Sequence, residues 1–151
     1  MSIPRKSSDS VSTGSQKENG VGCPDVVVEF LFDRGLLFIS VRNIGARPAT
    51  KISVKFDKKM IGLGGTKDIS DLALFNNIEF LGPGREIITL LDASNSYFRR
   101  KQPTKISARV SYTDVEKRNY EVTINHDLEI YRELPYLASP GANATDPDCL
   151  K

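Results

Sequence analysis

The amino-acid sequence predicts an all-β fold: a seven-stranded antiparallel immunoglobulin-like β-sandwich with a short irregular or helical insertion near residues 66–76. The first observation is that hydrophobic and polar residues alternate in short segments between Asp25 and about Tyr131. Successive side chains of a strand point to opposite faces, so each segment has one face for a core and one for water. The second observation is that turn-forming residues separate these segments at the short intervals typical of a sandwich.

The first three strands are separated by a turn and a loop. The tripeptide 33–35, Asp-Arg-Gly, predicts a tight turn, and the loop 45–48 ends in a proline, which cannot donate to a ladder. Within this region Asn43 and Gly45 tolerate the left-handed backbone that a tight loop uses. The predicted strands are about Val26–Asp33, Leu36–Asn43 and Thr50–Asp57.

The stretch 58–77 is less regular than its neighbours. Several glycines are followed by a short apolar cluster, which predicts one or two helical turns covering an open end of the sandwich, with Asp68 or Ser70 as the N-cap. The glycines and apolar residues are Gly62, Gly64, Gly65, Ile69, Leu72, Leu74 and Phe75.

Four more strands complete the predicted fold. Gly82-Pro83-Gly84 reverses the chain, because proline pre-sets φ and glycine permits a positive φ. Residues 92–103 predict a long polar loop, and residues 114–117 form the turn of the clearest hairpin. The strands are about Ile78–Leu81, Glu86–Leu91, Lys105–Thr113 and Asn119–His126.

The predicted core consists of the apolar side chains on one face of these strands. Each contributes roughly 1.5–3 kcal/mol when it is fully buried, which is enough in sum for an independent domain. The residues are Phe30, Phe32, Ile39, Val41, Val54, Phe56, Phe80, Val110, Tyr112, Tyr120, Val122 and Ile124.

The two ends of the chain differ from the middle in composition. Residues 1–24 are polar and nearly free of apolar side chains, which predicts a disordered N-terminal tail. Residues 138–151 predict a flexible C-terminal tail, which leaves residues 25–137 as the domain. Cys23 and Cys149 lie outside the strands, and we expect two reduced surface thiols, with a disulfide between the tails as the alternative.

The charge is nearly balanced, with 21 Lys and Arg against 19 Asp and Glu and a net charge of +2. Nucleic-acid binding through bulk electrostatics usually requires a larger positive excess, so the charge balance gives no strong signal for nucleic acid. The chain has no apolar stretch of about 18 residues for a transmembrane helix, and its first residues lack the apolar segment of a secretory signal. We therefore expect a cytoplasmic protein.

Three segments carry a family resemblance. Residues 37–45 with Asn43-Ile44-Gly45, the following strand 52–56, and Leu81-Gly82-Pro83-Gly84 resemble bacterial and archaeal immunoglobulin-like adhesion-type domains of the CARDB class. Those domains place an N-x-G turn between their second and third strands and an L-x-P-G element before a later strand. The resemblance covers roughly residues 25–131. It implies a fold and no activity, because its motifs are turn and packing signals.

The sequence shows no set of residues that converges on a catalytic or metal centre. His126, the single histidine, has neither cysteines at a metal spacing nor a nucleophile at a triad spacing, which favours a structural or surface role. The glycine-rich run 62–67 lacks the spacing of a phosphate loop, and Asp68 with Asp71 supplies too few oxygens for Ca²⁺. We therefore predict no enzyme activity, no metal and no cofactor.

The best candidate binding residues are basic. If the third, sixth and seventh strands share a sheet, four outward side chains line one wet face: Lys51, Lys55, Lys105 and Arg109. The nearby loop adds Arg99, Arg100 and Lys101, with Tyr97 and Phe98 as exposed rings. Such a surface suits an acidic partner, a phosphorylated surface or single-stranded nucleic acid. The alternative is an ordinary solvated face, which Glu121 partly neutralises.

These observations favour a non-catalytic module that binds another protein through a sandwich face, an edge strand or the 92–103 loop. The second hypothesis is a carbohydrate- or phospholipid-surface-binding module, because Tyr97, Phe98, Tyr131 and Tyr136 supply rings. The third is a hydrolase whose site lies on the loops. The identity of the partner and the oligomeric state stay open.

Overall fold

The structure is a computed structural model that describes residues 22–135, in which β-strands form most of the regular structure. Residues 1–21 and 136–151, which include most of both predicted tails, lie outside this range. In chain order the strands are β1 (Val26–Asp33), β2 (Leu36–Asn43), β3 (Ala49–Phe56), β4 (Ile61–Gly62), β5 (Lys67–Asp68), β6 (Ile78–Leu81), β7 (Glu86–Ala93), β8 (Lys105–Thr113) and β9 (Asn119–Asp127). The helices are α1 (Ala73–Asn76) and α2 (Ser94–Arg99), with 3-10 turns at Leu63–Gly65, Ile69–Asp71 and Leu128–Tyr131.

The strands form three antiparallel sheets. One has three strands in the order β1-β2-β7, the second has four in the order β6-β3-β8-β9, and β4 pairs with β5. The seven predicted strands are all present near their predicted positions, but the described residues contain nine strands in three sheets. The two additional strands have two residues each, which is too short for an alternating pattern to reveal them.

The two larger sheets share one core. Val28 and Ile39 from the three-stranded sheet and Val54 and Val110 from the four-stranded sheet are buried in the same cluster. Helix α1 packs against β3 and adds Phe75, whose ring stands edge-on to Phe56 with the centroids 5.0 Å apart. The predicted helical turns are therefore confirmed, and Asp68 caps the first of them by accepting a hydrogen bond from the Ser70 N–H.

Two residues of the predicted core are wrong, because both lie on edge strands. Phe80 is 60% exposed on β6, where Ile78 and Leu81 are the buried side chains. Val122 is 38% exposed on β9, which has no strand on its outer side to cover it. Phe32, Phe56, Tyr120 and Ile124 are partly buried against the core.

Two expectations also need correction, one about the loop between β2 and β3 and one about Cys23, which packs against that loop. Neither Asn43 nor Gly45 has a positive φ. Instead, the buried Asn43 amide bonds the backbone of both flanking segments, and a side chain at residue 45 would lie 2.2 Å from the Cys23 carbonyl oxygen. Cys23 is therefore buried and not a surface thiol in a tail. Cys149 and any pairing with it lie outside the described residues.

Candidate functional site

The outer face of the four-stranded sheet carries part of the predicted basic surface. Strands β3, β8 and β9 are adjacent as expected, and Lys55 lies directly opposite Arg109 in the ladder. The two cations line a shallow depression of about 570 Å³ together with Asp57 and Glu121. Arg109 lies 3.6 Å from the Glu121 carboxylate. Two carboxylates therefore balance the two cations, and the depression has no net charge.

Lys51 and Lys105 do not join this pair. The Lys51 ammonium lies 3.2 Å from the Glu79 carboxylate on β6. Hydrogen bonds from Asn77 and then Lys51 lower the pKa of Glu79, which ties Lys51 to its own partner. Lys105 lies at the start of β8, opposite Asp127. The four predicted residues thus divide into three places, and their role in binding stays a prediction.

The segment predicted as a long polar loop contains helix α2, which is anchored by a buried ion pair. The Arg100 guanidinium pairs with Asp92, whose side chain is only 3% exposed, and also donates to the Ile61 carbonyl oxygen at 3.0 Å. Asp92 accepts a further hydrogen bond from the Gly64 N–H at 3.0 Å. Arg100 therefore holds α2 against the 61–65 segment, while Arg99 and Lys101 stay exposed.

The aromatic residues of this segment are buried, so their predicted exposure is wrong. Tyr97 is fully buried and donates its hydroxyl to the Pro103 carbonyl oxygen at 2.6 Å. Burial raises the pKa of its phenol. Phe98 is also buried and lies under the Arg132 guanidinium, 4.6 Å from its ring centroid. The helix turns both rings inward, which an assignment of the segment as a loop could not foresee.

One end of the outer face of the three-stranded sheet is apolar. Leu31, Phe38 and Leu90 stand in one row across β1, β2 and β7, and Ile88 lies in the next row. With Leu36 they form what we call the apolar face; Ile88 is 50% exposed, Leu36 38% and Leu90 37%. Sequence analysis missed this surface because the predicted core includes Ile39 and Val41, and strand alternation then places Phe38 on the face expected to meet water. The available signal was the nearly continuous apolar run in β2 and in β7, which is typical of strands covered on both faces.

The free edge of β1 is covered by side chains of β8, β9 and the 3-10 turn that follows β9. The Ile44 N–H donates to the Asp25 backbone carbonyl, so residue 25 forms its ladder bond with β2. Since bonding alternates along an antiparallel strand, the backbone N–H and C=O groups of Val26, Val28 and Phe30 point away from β2. Tyr131 donates its hydroxyl to the Phe30 oxygen at 2.9 Å. The His126 imidazole lies near the backbone of Val28, and the Tyr112 phenol lies near the backbone of Val26.

His126 has a structural position in this cover. Its ring stands edge-on to Phe30 with the centroids 4.9 Å apart, and its Nε2 has no hydrogen-bond partner among residues 22–135. Burial lowers the pKa of the imidazole, so the neutral ring is the form that fits. The Ser107 hydroxyl, which lines the same depression as His126, donates to the Asn125 side-chain oxygen at 2.6 Å.

The buried Asp114 is used by the β8–β9 turn. Its carboxylate accepts hydrogen bonds from the Glu116 and Arg118 N–H groups, the Arg118 Nε and the Tyr120 hydroxyl, all at 2.8 to 2.9 Å. Burial alone would raise the pKa of Asp114, but the bonds from Arg118 and Tyr120 bring it below its usual value. The carboxylate is therefore saturated and holds a turn.

Within residues 22–135 no group of three or more His, Cys, Asp or Glu side chains could hold a metal ion. In the same range, no helix has the length and apolar character needed to cross a membrane. A family model described as a domain of unknown function, DUF8453, matches residues 8–132. No curated protein and no solved structure matches the chain significantly.

Proposed function

Since the chain belongs to the DUF8453 family, whose description assigns no activity, we propose from its surfaces that it is a non-catalytic protein-interaction module. The observation that carries this proposal is the apolar face. Leu31, Phe38 and Leu90 form a continuous row, in which Leu31 and Phe38 are half-buried and Leu90 is exposed, and the exposed Ile88 and Leu36 lie beside it. Contiguous exposed apolar patches on a soluble domain mark binding sites, because covering them removes apolar surface from water.

The proposal extends to the type of fold. Strands β1, β2 and β7 share one sheet, and β3, β6, β8 and β9 share the other, which supports an immunoglobulin-like sandwich. An experimental structure with β7 in the sheet of β3 and β8 would contradict it. The CARDB class stays a prediction from the sequence resemblance.

The hypothesis of a carbohydrate- or phospholipid-binding surface has less support. Of its four rings, Tyr97 and Phe98 are buried, and Tyr131 stacks on Phe32 with the centroids 5.8 Å apart. Tyr136 lies outside the described residues. The polar depression at Lys55 and Arg109 stays available to a partner, but its balanced charge selects no acidic ligand.

Site-specific photo-cross-linking in native lysate tests the apolar face. We expect p-benzoylphenylalanine at position 38 to give a discrete protein adduct, because this position lies at the centre of the apolar face. The matched probe at position 123, on the outer face of β9, is expected to give none. Adducts from both positions in equal yield, or from neither, would overturn the proposal.

A further inference from the structure

The four edges of the two larger sheets differ in how they receive another strand. Strand β6 has only four residues, and the outward side chains along β9 are polar or acidic. Short strands and charged side chains both discourage pairing. The edge of β1 is covered by Tyr112, His126 and Tyr131. Strand β7 has eight residues with neither proline nor lysine, and no described strand lies beyond it.

The open part of β7 is five residues long. The Asn43 N–H donates to the Arg85 oxygen at 3.0 Å, so ladder alternation turns the backbone groups of Glu86, Ile88 and Leu90 away from β2. Beyond Leu90 the edge is closed by the 61–65 segment. A side chain at residue 62 would lie 2.0 Å from the Leu91 carbonyl oxygen, which shows how closely the glycine backbone approaches β7.

We infer that residues 86–90 of β7 accept an extended, largely apolar segment of a partner protein that carries a carboxylate near the Arg85 end. This inference rests on the proposed interaction function and names the partner's chemistry. An added strand would bond the backbone of residues 86, 88 and 90, and its apolar side chains would lie beside Ile88 and Leu90 on the apolar face.

Charge complementarity supplies the carboxylate. Arg42 and Arg85 are exposed at this end of β7, while Glu86 is the neighbouring acid and accepts a hydrogen bond from Ser40 at 2.5 Å. Within residues 22–135 neither arginine forms an ion pair, so an incoming carboxylate would find a guanidinium to bind.

A second copy of the chain fits this edge less well. An antiparallel pairing of two β7 strands centred on Ile88 would place Arg85 of one copy beside Leu91 of the other. The 61–65 segment already lies against Leu91, so the two copies would collide there. A separate segment of about five residues can end before that point.

Amide hydrogen exchange of the full chain with a model peptide tests the inference. The probe is the capped peptide Ser-Val-Thr-Ile-Thr-Val-Asp-Asp. At saturating peptide we expect at least tenfold slower exchange at residues 86, 88 and 90, with no change at 87 and 89, which already bond β2. No slowing at millimolar peptide, or slowing at residues 121, 123 and 125 of β9 instead, would overturn the inference. So would concentration-dependent slowing without peptide, which identifies a second copy as the occupant.

A proline variant gives the matched control. Ile88→Pro removes an N–H that makes no ladder bond, so we expect the fold to persist and peptide affinity to fall at least tenfold. Thr123→Pro removes the equivalent outward N–H on β9 and should leave affinity unchanged. If Ile88→Pro does not fold, Ile88→Lys with Leu90→Lys takes its place, with the same loss expected. Unchanged affinity would refute the edge site, whereas the adduct at position 38 reports on the apolar face independently.

Discussion

The outer faces of the two larger sheets are built by the same alternation of inward and outward side chains, but one is polar and the other is partly apolar. On the four-stranded sheet Lys55, Arg109 and Thr123 form a polar row that water solvates. On the three-stranded sheet the corresponding row is Leu31, Phe38 and Leu90. Outward orientation in a strand thus does not make a side chain polar. The difference teaches that a candidate binding surface can be recognised by apolar side chains at outward positions. A search restricted to charged residues does not find such a surface.

Removing Arg100 should have the largest effect, and it tests whether the predicted basic residues act as one surface. Arg100→Ala leaves Asp92 buried without its cation, which typically costs about 3–5 kcal/mol. We expect a clear fall in the urea midpoint, with Lys101→Ala as the exposed control that changes little. Equal stability of the two variants would show that Arg100 is an exposed basic residue like Arg99 and Lys101.

The free energy of unfolding should depend on pH through His126, which lies between the two sheets. Burial lowers the pKa of the folded imidazole below its usual value of 6.5, so as the pH falls below about 6.5 the unfolded chain takes up a proton that the folded chain does not. Stability is therefore lost towards low pH. The ceiling of about 1.4 kcal/mol per pH unit is reduced by partial exposure of the ring.

Urea titrations at pH 7 and pH 5.5 measure this effect. His126→Gln should flatten the change between the two pH values, since the only histidine is then absent. An unaltered slope in the variant would show that other groups cause it.

Lys55→Thr should have the smallest effect and sharpens the description of the polar face. Lys55 and Arg109 are directly opposed like charges, which destabilise a sheet, so removing one should raise stability by about 0.2–0.5 kcal/mol. The gain should shrink in 1 M NaCl, because salt screens exposed charges. A loss of stability at low salt would mean that the Asp57 and Glu121 carboxylates dominate the depression.

The strands were predictable because their information is local. The alternation in 105–113 and 119–127 placed β8 and β9 almost to the residue, and the apolar cluster after Ser70 revealed the helical turns. The candidate site was not predictable in the same way. Arg100 with Ile61 and Tyr131 with Phe30 join segments far apart in sequence, and no local pattern encodes such contacts.

Helix α2 and the apolar face show a second reason. Residues 92–103 are polar on average, yet the adjacent Tyr97 and Phe98 are both buried. Average polarity therefore hid two anchors of the fold. In β7 the run of Ile, Thr and Leu fills both faces of the strand, and the predicted core includes no residue of this strand.

The covered edge of β1 also limits growth. A sheet that could add strands at both ends would let molecules join head to tail, and each addition would expose a fresh end for the next. Here Tyr112, His126 and Tyr131 cover the β1 edge of the sheet. An assembly that began at β7 would therefore stop after a single addition and would not lengthen into a filament.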